Sequence, residues 1–159
     1  MLQHLRQWRV AYLSLLLLNL AALLFMSCFT FGLNASPSLP HTLYLIHKSA
    51  TVERGQYVAF RWQGGGPYPA GVTFVKIMAG MPGDTVTEIN REFFVNGMAV
   101  GASKRLSRKS APLQIGPTGV IPSAHYYVKA PHPDSLDSRY RLTGWISQTQ
   151  IIGRAYALF

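Results

Sequence analysis

The chain has 159 residues, 48% of them apolar and 13% charged, with a formal charge of +9 at pH 7 and one cysteine. That length holds one domain plus an appendage, because a single core takes about 100–200 residues, and the apolar share excludes a disordered basic tail. The lone Cys28 excludes a disulfide framework and a cysteine-based zinc site.

From Val10 to Leu33 no residue is charged: VAYLSLLLLNLAALLFMSCFTFGL. The run exceeds the roughly 20 residues that a helix needs to cross the hydrocarbon layer, so it predicts a transmembrane helix over 10–33 behind a short cytoplasmic segment, 1–9. A cleavable signal peptide has an apolar core of about 7–15 residues and a small-x-small exit, and this run fits neither. Arg6 and Arg9 lie on its N-terminal side. The positive-inside tendency therefore puts that end in the cytoplasm and residues 34–159 on the outer, periplasmic face of the inner membrane.

Directly after the run comes Asn34-Ala35-Ser36-Pro37-Ser38-Leu39-Pro40. Prolines on either side of Ser38 restrict the backbone and can aim a hydroxyl. An ordinary Pro/Ser linker leaving a membrane has the same composition.

Beyond it the chain is mainly β in pattern. Tyr57–Trp62, Val72–Ala79 and Ile151–Leu158 are short, β-branched and aromatic-rich, and read as strands. Phe93–Val100 carries Asn96-Gly97 between two apolar runs, the signature of a tight hairpin. Gly64–Pro67, Met81–Asp84 and Gly116–Gly119 read as turns. Lys104–Lys109 is a basic stretch, KRLSRK, that could grip phosphate or anionic lipid; a solvated loop is the favoured reading because no nucleic-acid fold signature accompanies it. Trp62, Tyr68 and Leu43–Ile46 are candidates for resting on a lipid leaflet, with core packing the competing account.

Lys76 is the anomaly of the second strand. In VTFVKIMA its same-face neighbours at period two are Phe74 and Met78. Burial there disfavours the ammonium and makes a candidate general base, unless the stem lies on the sheet and the head reaches water. Ser36 and Ser38 are the hydroxyls such a base would serve. Near the C-terminus Asp134–Tyr140, DSLDSRY, packs acids, hydroxyls and Arg139 into one segment that can form an internally bonded turn or orient a lysine.

Taken together, these segments resemble the type I signal peptidases, membrane-anchored endopeptidases with a Ser/Lys dyad. Ser36-Pro37-Ser38-Leu39-Pro40 is similar to that family's nucleophile box, Phe74–Asp84 to its lysine box ending in Gly-x-Pro-Gly-Asp, and Ser135-Leu136-Asp137-Ser138-Arg139 to its C-terminal box. Gly144-Trp145 and Ile152–Ala155 follow as they do in the family. The pattern Asn34-x-Ser36-x-Ser38-x-Pro40-x-x-x-Tyr44 resembles the conjugative-transfer, TraF-type branch, whose members mature pilin precursors for type IV secretion. The resemblance implies a signal-peptidase-like β domain with Ser38 as nucleophile, Lys76 as general base and the Ser36 hydroxyl and Ser38 N–H as oxyanion donors. It further implies Ser135 as the group positioning the lysine, Asp137 and Arg139 as structural support, and no metal or other cofactor. The implied partners are a precursor protein, a pilin or another signal-bearing preprotein, and membrane lipid, with no nucleic acid. Two positions depart from the family's usual pattern: Ile77 stands where Arg is common and Ala130 where Asp is common, so both members of an ion pair are missing together.

Three rivals follow from the same residues. One is a general signal peptidase for secreted proteins. Another is a Ser/His/Asp hydrolase built from Ser38 with His41, His125 or His132 and Asp134, although no nucleophile elbow surrounds these residues. The third is a noncatalytic anchored protein of a secretion apparatus.

Overall fold

The computed structural model describes residues 2–34 and 36–159, with side chains from Gln7 onward. The Arg6 side chain, used above to orient the chain, therefore lies outside the described residues.

Helix α1 spans Leu2–Cys28. Its stretch Gln7–Cys28 is 22 residues long, apolar and wholly unburied by the rest of the chain, and reaches about 33 Å at 1.5 Å per residue. The helix begins earlier and ends earlier than the apolar run predicts. Residues 29–33 leave it to form strand β1 (Phe29–Leu33), which pairs with β2 (Leu43–Lys48) from Phe29↔His47 to Leu33↔Leu43. Phe29, Thr30 and Phe31 are weak helix formers, Gly32 is weaker still, and the backbone bonds offered by β2 decide the outcome.

Further strands follow: β3 (Tyr57–Arg61), β4 (Thr73–Gly80), β5 (Thr85–Ile89), β6 (Glu92–Val95), β7 (Met98–Ala102), β8 (Gly119–Val120), β9 (His125–Lys129), β10 (Ile146–Ser147) and β11 (Ile151–Ala157). They form two antiparallel sheets, one of seven strands in the order β1-β2-β11-β3-β4-β9-β10 and one of four in the order β7-β6-β5-β8. The mainly β fold with one N-terminal apolar helix agrees with the sequence pattern. Asn96 and Gly97 both have positive φ, 49° and 77°, as a hairpin turn matched to strand twist requires. Gly116–Gly119 departs from the expected turn: residues 116–118 form no turn and lead into β8. The cause is tertiary: Gly116 N–H donates to Arg139 O at 2.8 Å, and a Cβ on Gly116 would meet Ser138 O at 2.0 Å.

Strand β4 positions the site because it borders three apolar clusters. Val75 belongs to a cluster with Leu39, Tyr44, Ile46, Ala59, Ala130 and Ala155, and Ile77 packs against it. Met78 and Phe74 join the second, with Val58, Phe60, Trp62 and Val128, while Ala79 joins the third, between the sheets, with Val86, Phe93 and Tyr127. Tyr44 and Ile46 are fully buried and Trp62 is stacked on Phe74 at 4.9 Å, so these three are core rather than leaflet contacts. Tyr68, edge-on to Phe74 at 5.2 Å, stays exposed.

Candidate active site

Asn34, Ser36 and Ser38 form one hydrogen-bonded group. The Ser36 hydroxyl lies 3.0 Å from Ser38 Oγ and 3.1 Å from Asn34 Oδ1, and the Ser38 hydroxyl lies 3.4 Å from the same Asn34 oxygen. Ser38 is only 4% exposed. The next residue, Leu39, is buried in the cluster that also holds Val75 and Ala130. The serine turn and strand β4 therefore share one piece of core, with Ser38 and Lys76 each one residue from it.

Lys76 faces the side of β4 that its spacing predicts. It pairs across the sheet with Val58, is 5% exposed, and its Nζ stands 5.6 Å from the Phe74 ring centroid. Burial lowers its pKa from the usual 10.5 to about 8; the Asp137 carboxylate opposes that shift and the Arg139 guanidinium adds to it. An amine in this state is partly neutral near pH 7–8 and can take up a proton. Among the described residues no hydrogen bond joins Lys76 Nζ to Ser38 Oγ, whose bonds run to Ser36 and Asn34. Catalytic hydrogen bonds of substrate-free enzymes commonly tighten only when substrate binds.

The segment 135–139 hangs on β9. Ser138 N–H donates to Val128 O at 3.1 Å, and Val128 N–H donates to Ser138 Oγ at 3.0 Å. This hold places Asp137 beneath the Ala130 amide, which donates to Asp137 Oδ2 at 3.0 Å. Arg139 clasps the same carboxylate through Nε and Nη2 and spends its remaining donors on the carbonyls of Ala102, Ala130 and His132. Both charges are thus buried with their partners supplied. Ser135 is 3% exposed, and its hydroxyl has no hydrogen-bond partner among the described residues. A buried hydroxyl without a partner is costly in an ordinary core. Ile77 and Ala130, the two departures noted above, both lie at the first apolar cluster.

Other candidates are not brought together. The His41 ring lies edge-on to Tyr44 and Tyr57. His125 Nδ1 bonds the Ser123 carbonyl, and His132 Nδ1 accepts from the Asp134 amide. Asp134 itself is bound by Lys104 and by Arg108 at 2.9 and 3.0 Å, so no Ser/His/Asp relay is assembled. The same contacts change the picture of the basic stretch: it is exposed, but pinned beside Ser135. Among the described residues, no three His, Cys, Asp or Glu side chains converge as a metal site would. Sequence reasoning assigned Asn34 no role, although it stands at the centre of the serine group.

Residues 5–159 match the family described as "Signal peptidase, peptidase S26". Among solved structures, a signal peptidase I from Enterococcus faecalis V583 aligns with TM-score 0.44 and 23% identity, over 69% of this chain and 97% of that one. No curated protein matches the chain. The assignment rests on the sequence match along nearly the whole chain: this protein belongs to the peptidase S26 family of signal peptidases, serine peptidases that act as hydrolases.

Proposed function

We propose that the protein is a membrane-anchored Ser/Lys endopeptidase that removes a signal or pro-segment from an exported precursor, with Ser38 as nucleophile and Lys76 as general base. The observation that carries this reading is the buried Lys76 amine, whose pKa of about 8 suits proton transfer near neutrality. Neutral Lys76 takes the Ser38 proton while Ser38 Oγ attacks the scissile carbonyl. The Ser38 N–H and the Ser36 hydroxyl hold the oxyanion, and the ammonium of Lys76 returns its proton to the departing amine. Water, deprotonated in turn by Lys76, then releases the acid and frees Ser38. Ser135, whose buried hydroxyl has no partner at rest among the described residues, is assigned the positioning of the lysine amine once substrate binds, and Asp137 with Arg139 supports the segment.

For the substrate we infer a pilin precursor of a conjugative secretion system, a reading that rests on the Asn34-to-Tyr44 pattern. There the N-terminal amine of the pilin can replace water and close a ring. Helix α1 serves as anchor, with its N-terminus cytoplasmic and the β domain at the outer face. An apolar patch supports this placement: Leu45 pairs with both Phe31 and Tyr156, and Leu33 pairs with Leu43, all on the outward face of a sheet whose edge strand β1 continues from the helix. Phe31 is 60% and Leu33 77% exposed. Lipid contact therefore falls to this face rather than to Tyr44, Ile46 or Trp62.

The test is mass spectrometry of a co-expressed pilin precursor carrying a small-x-small site. Wild type is expected to shorten it, while Ser38→Ala and Lys76→Ala leave it intact. A precursor of unchanged mass with wild type overturns the reading. Cleavage that survives Lys76→Ala overturns the assignment of Lys76 as the base.

A further inference from the structure

Asn34 makes five hydrogen-bond contacts with its side-chain amide. Nδ2 donates to the carbonyls of Leu39 and His41 at 3.3 and 3.1 Å. Oδ1 faces the Ser36 amide at 3.4 Å, the Ser36 hydroxyl at 3.1 Å and the Ser38 hydroxyl at 3.4 Å. Chemistry fixes this orientation, since carbonyls only accept and the NH2 must face them. The backbone N–H of Asn34 also donates to Thr42 O at 2.8 Å, so one residue braces both ends of the serine turn.

Ser36 has one hydroxyl proton and two acceptors within reach, Asn34 Oδ1 and Ser38 Oγ. Either it donates to Asn34, or it donates to Ser38 while Ser38 donates to Asn34. In both arrangements a serine proton rests on the same amide oxygen. The oxyanion role requires the Ser36 hydroxyl to leave that oxygen when a carbonyl arrives, and the nucleophile role requires Ser38 to give its proton elsewhere.

We propose that Asn34 is a positioning residue of the site: its amide oxygen is the resting acceptor that holds the Ser36 and Ser38 hydroxyls in place until substrate replaces it, while its NH2 keeps the turn closed. The inference rests on the Ser38/Lys76 reading above. No bond to Asn34 forms or breaks. During attack the Ser36 hydroxyl rotates from Oδ1 to the oxyanion, and the Ser38 proton passes to Lys76. Without Asn34 both hydroxyls sample more orientations, and the transition state has to order them. Substrate contacts are untouched, so the loss falls on kcat rather than KM.

A double-mutant cycle on the full-length enzyme in detergent tests this, with cleavage of a precursor as readout. Asn34→Ala is expected to lower kcat by about 10- to 100-fold with KM within about threefold. Ser36→Ala alone is expected to lose about 10²- to 10³-fold. In the Ser36→Ala background, Asn34→Ala costs clearly less than it does alone, because part of its effect passes through that hydroxyl. Asn34→Gln keeps both amide functions and carries the oxygen one methylene away from the serines. If Asn34→Ala does not fold, the cycle is read with Asn34→Gln: the Ser36→Ala factor there is expected to be smaller than in wild type. Equal losses from the Asn34 variant in both backgrounds, or an unchanged kcat, overturns the proposal while the peptidase reading stands. A wild type that leaves the precursor uncut is instead the failure of the peptidase reading.

Discussion

Arg139 holds Asp137 by two points, with Nε 2.8 Å from Oδ1 and Nη2 2.7 Å from Oδ2, and both side chains are buried. The pair closes the segment that carries Ser135 onto β9 and lies close enough to Lys76 to act on its charge. Removing one partner strands a buried charge, which costs more than the pair contributes as a unit. Asp137→Ala is therefore expected to lower stability by about 3–5 kcal/mol, even though the carbonyls of Ala102, Ala130 and His132 still face the guanidinium. Urea denaturation measures it, and a loss below about 1 kcal/mol would show that those carbonyls suffice.

The lowered pKa of Lys76 makes two linked expectations. If the neutral amine is the base, kcat/KM rises with pH and levels off above about 8. The effect on stability has the same sign. Between about 8 and the unfolded value of 10.5 the unfolded chain binds a proton that the folded chain does not, so stability rises with pH across that window and is flat below it. Lys76→Met abolishes cleavage and removes that penalty, giving a variant more stable than wild type at pH 7 by roughly 3 kcal/mol, an advantage that vanishes towards pH 10.5. Thermal melts of both proteins at pH 7 and pH 10.5 check it, and equal melting points at pH 7 would mean that the ammonium is solvated.

Ser135 separates positioning from structure. Its buried hydroxyl has no partner among the described residues, so Ser135→Ala breaks no recorded hydrogen bond and is expected to change stability by less than about 1 kcal/mol. If the hydroxyl steadies the Lys76 amine during proton transfer, kcat falls at least about tenfold and Ser135→Thr restores part of it. Unchanged kcat in Ser135→Ala would remove this residue from the site.

Much of this arrangement is legible in local pattern, and the exceptions share one cause. Period-two alternation in VTFVKIMA suffices to set Lys76 apart, and Asn96-Gly97 specifies its turn through the positive φ both residues adopt. Three features depend on partners outside the local pattern. The end of α1 at Cys28 is decided by pairing with β2, which an apolar run does not announce. The missing turn at Gly116 follows from its contact with Ser138 and Arg139. The centrality of Asn34 emerges only when the chain turns back to bring Leu39 and His41 to its amide. Strand spacing also distinguishes Tyr44 and Ile46, which face the core, from Leu43 and Leu45, which face outward, a separation the short apolar run LYLI conceals until its register is known.

That outward face yields the last prediction. Phe31, Leu45 and Tyr156 lie in one cross-strand row, with Leu33 and Leu43 beside it, and β1 follows α1 without an intervening loop. On the proposed reading of α1 as a membrane anchor, this row is expected to meet the leaflet, where burying one large apolar side chain is worth about 1.5–3 kcal/mol. Exposed Phe31 and Tyr156 can be changed without touching the core. Phe31→Asp combined with Tyr156→Asp is expected to slow cleavage of a precursor embedded in the same vesicles by about tenfold or more, and to leave cleavage of a short soluble peptide unchanged. The comparison isolates membrane docking from chemistry, because the soluble peptide reaches the site without the leaflet. Equal slowing of both substrates would instead place these residues in the fold or the site, and equal rates on both would show that α1 alone provides the attachment.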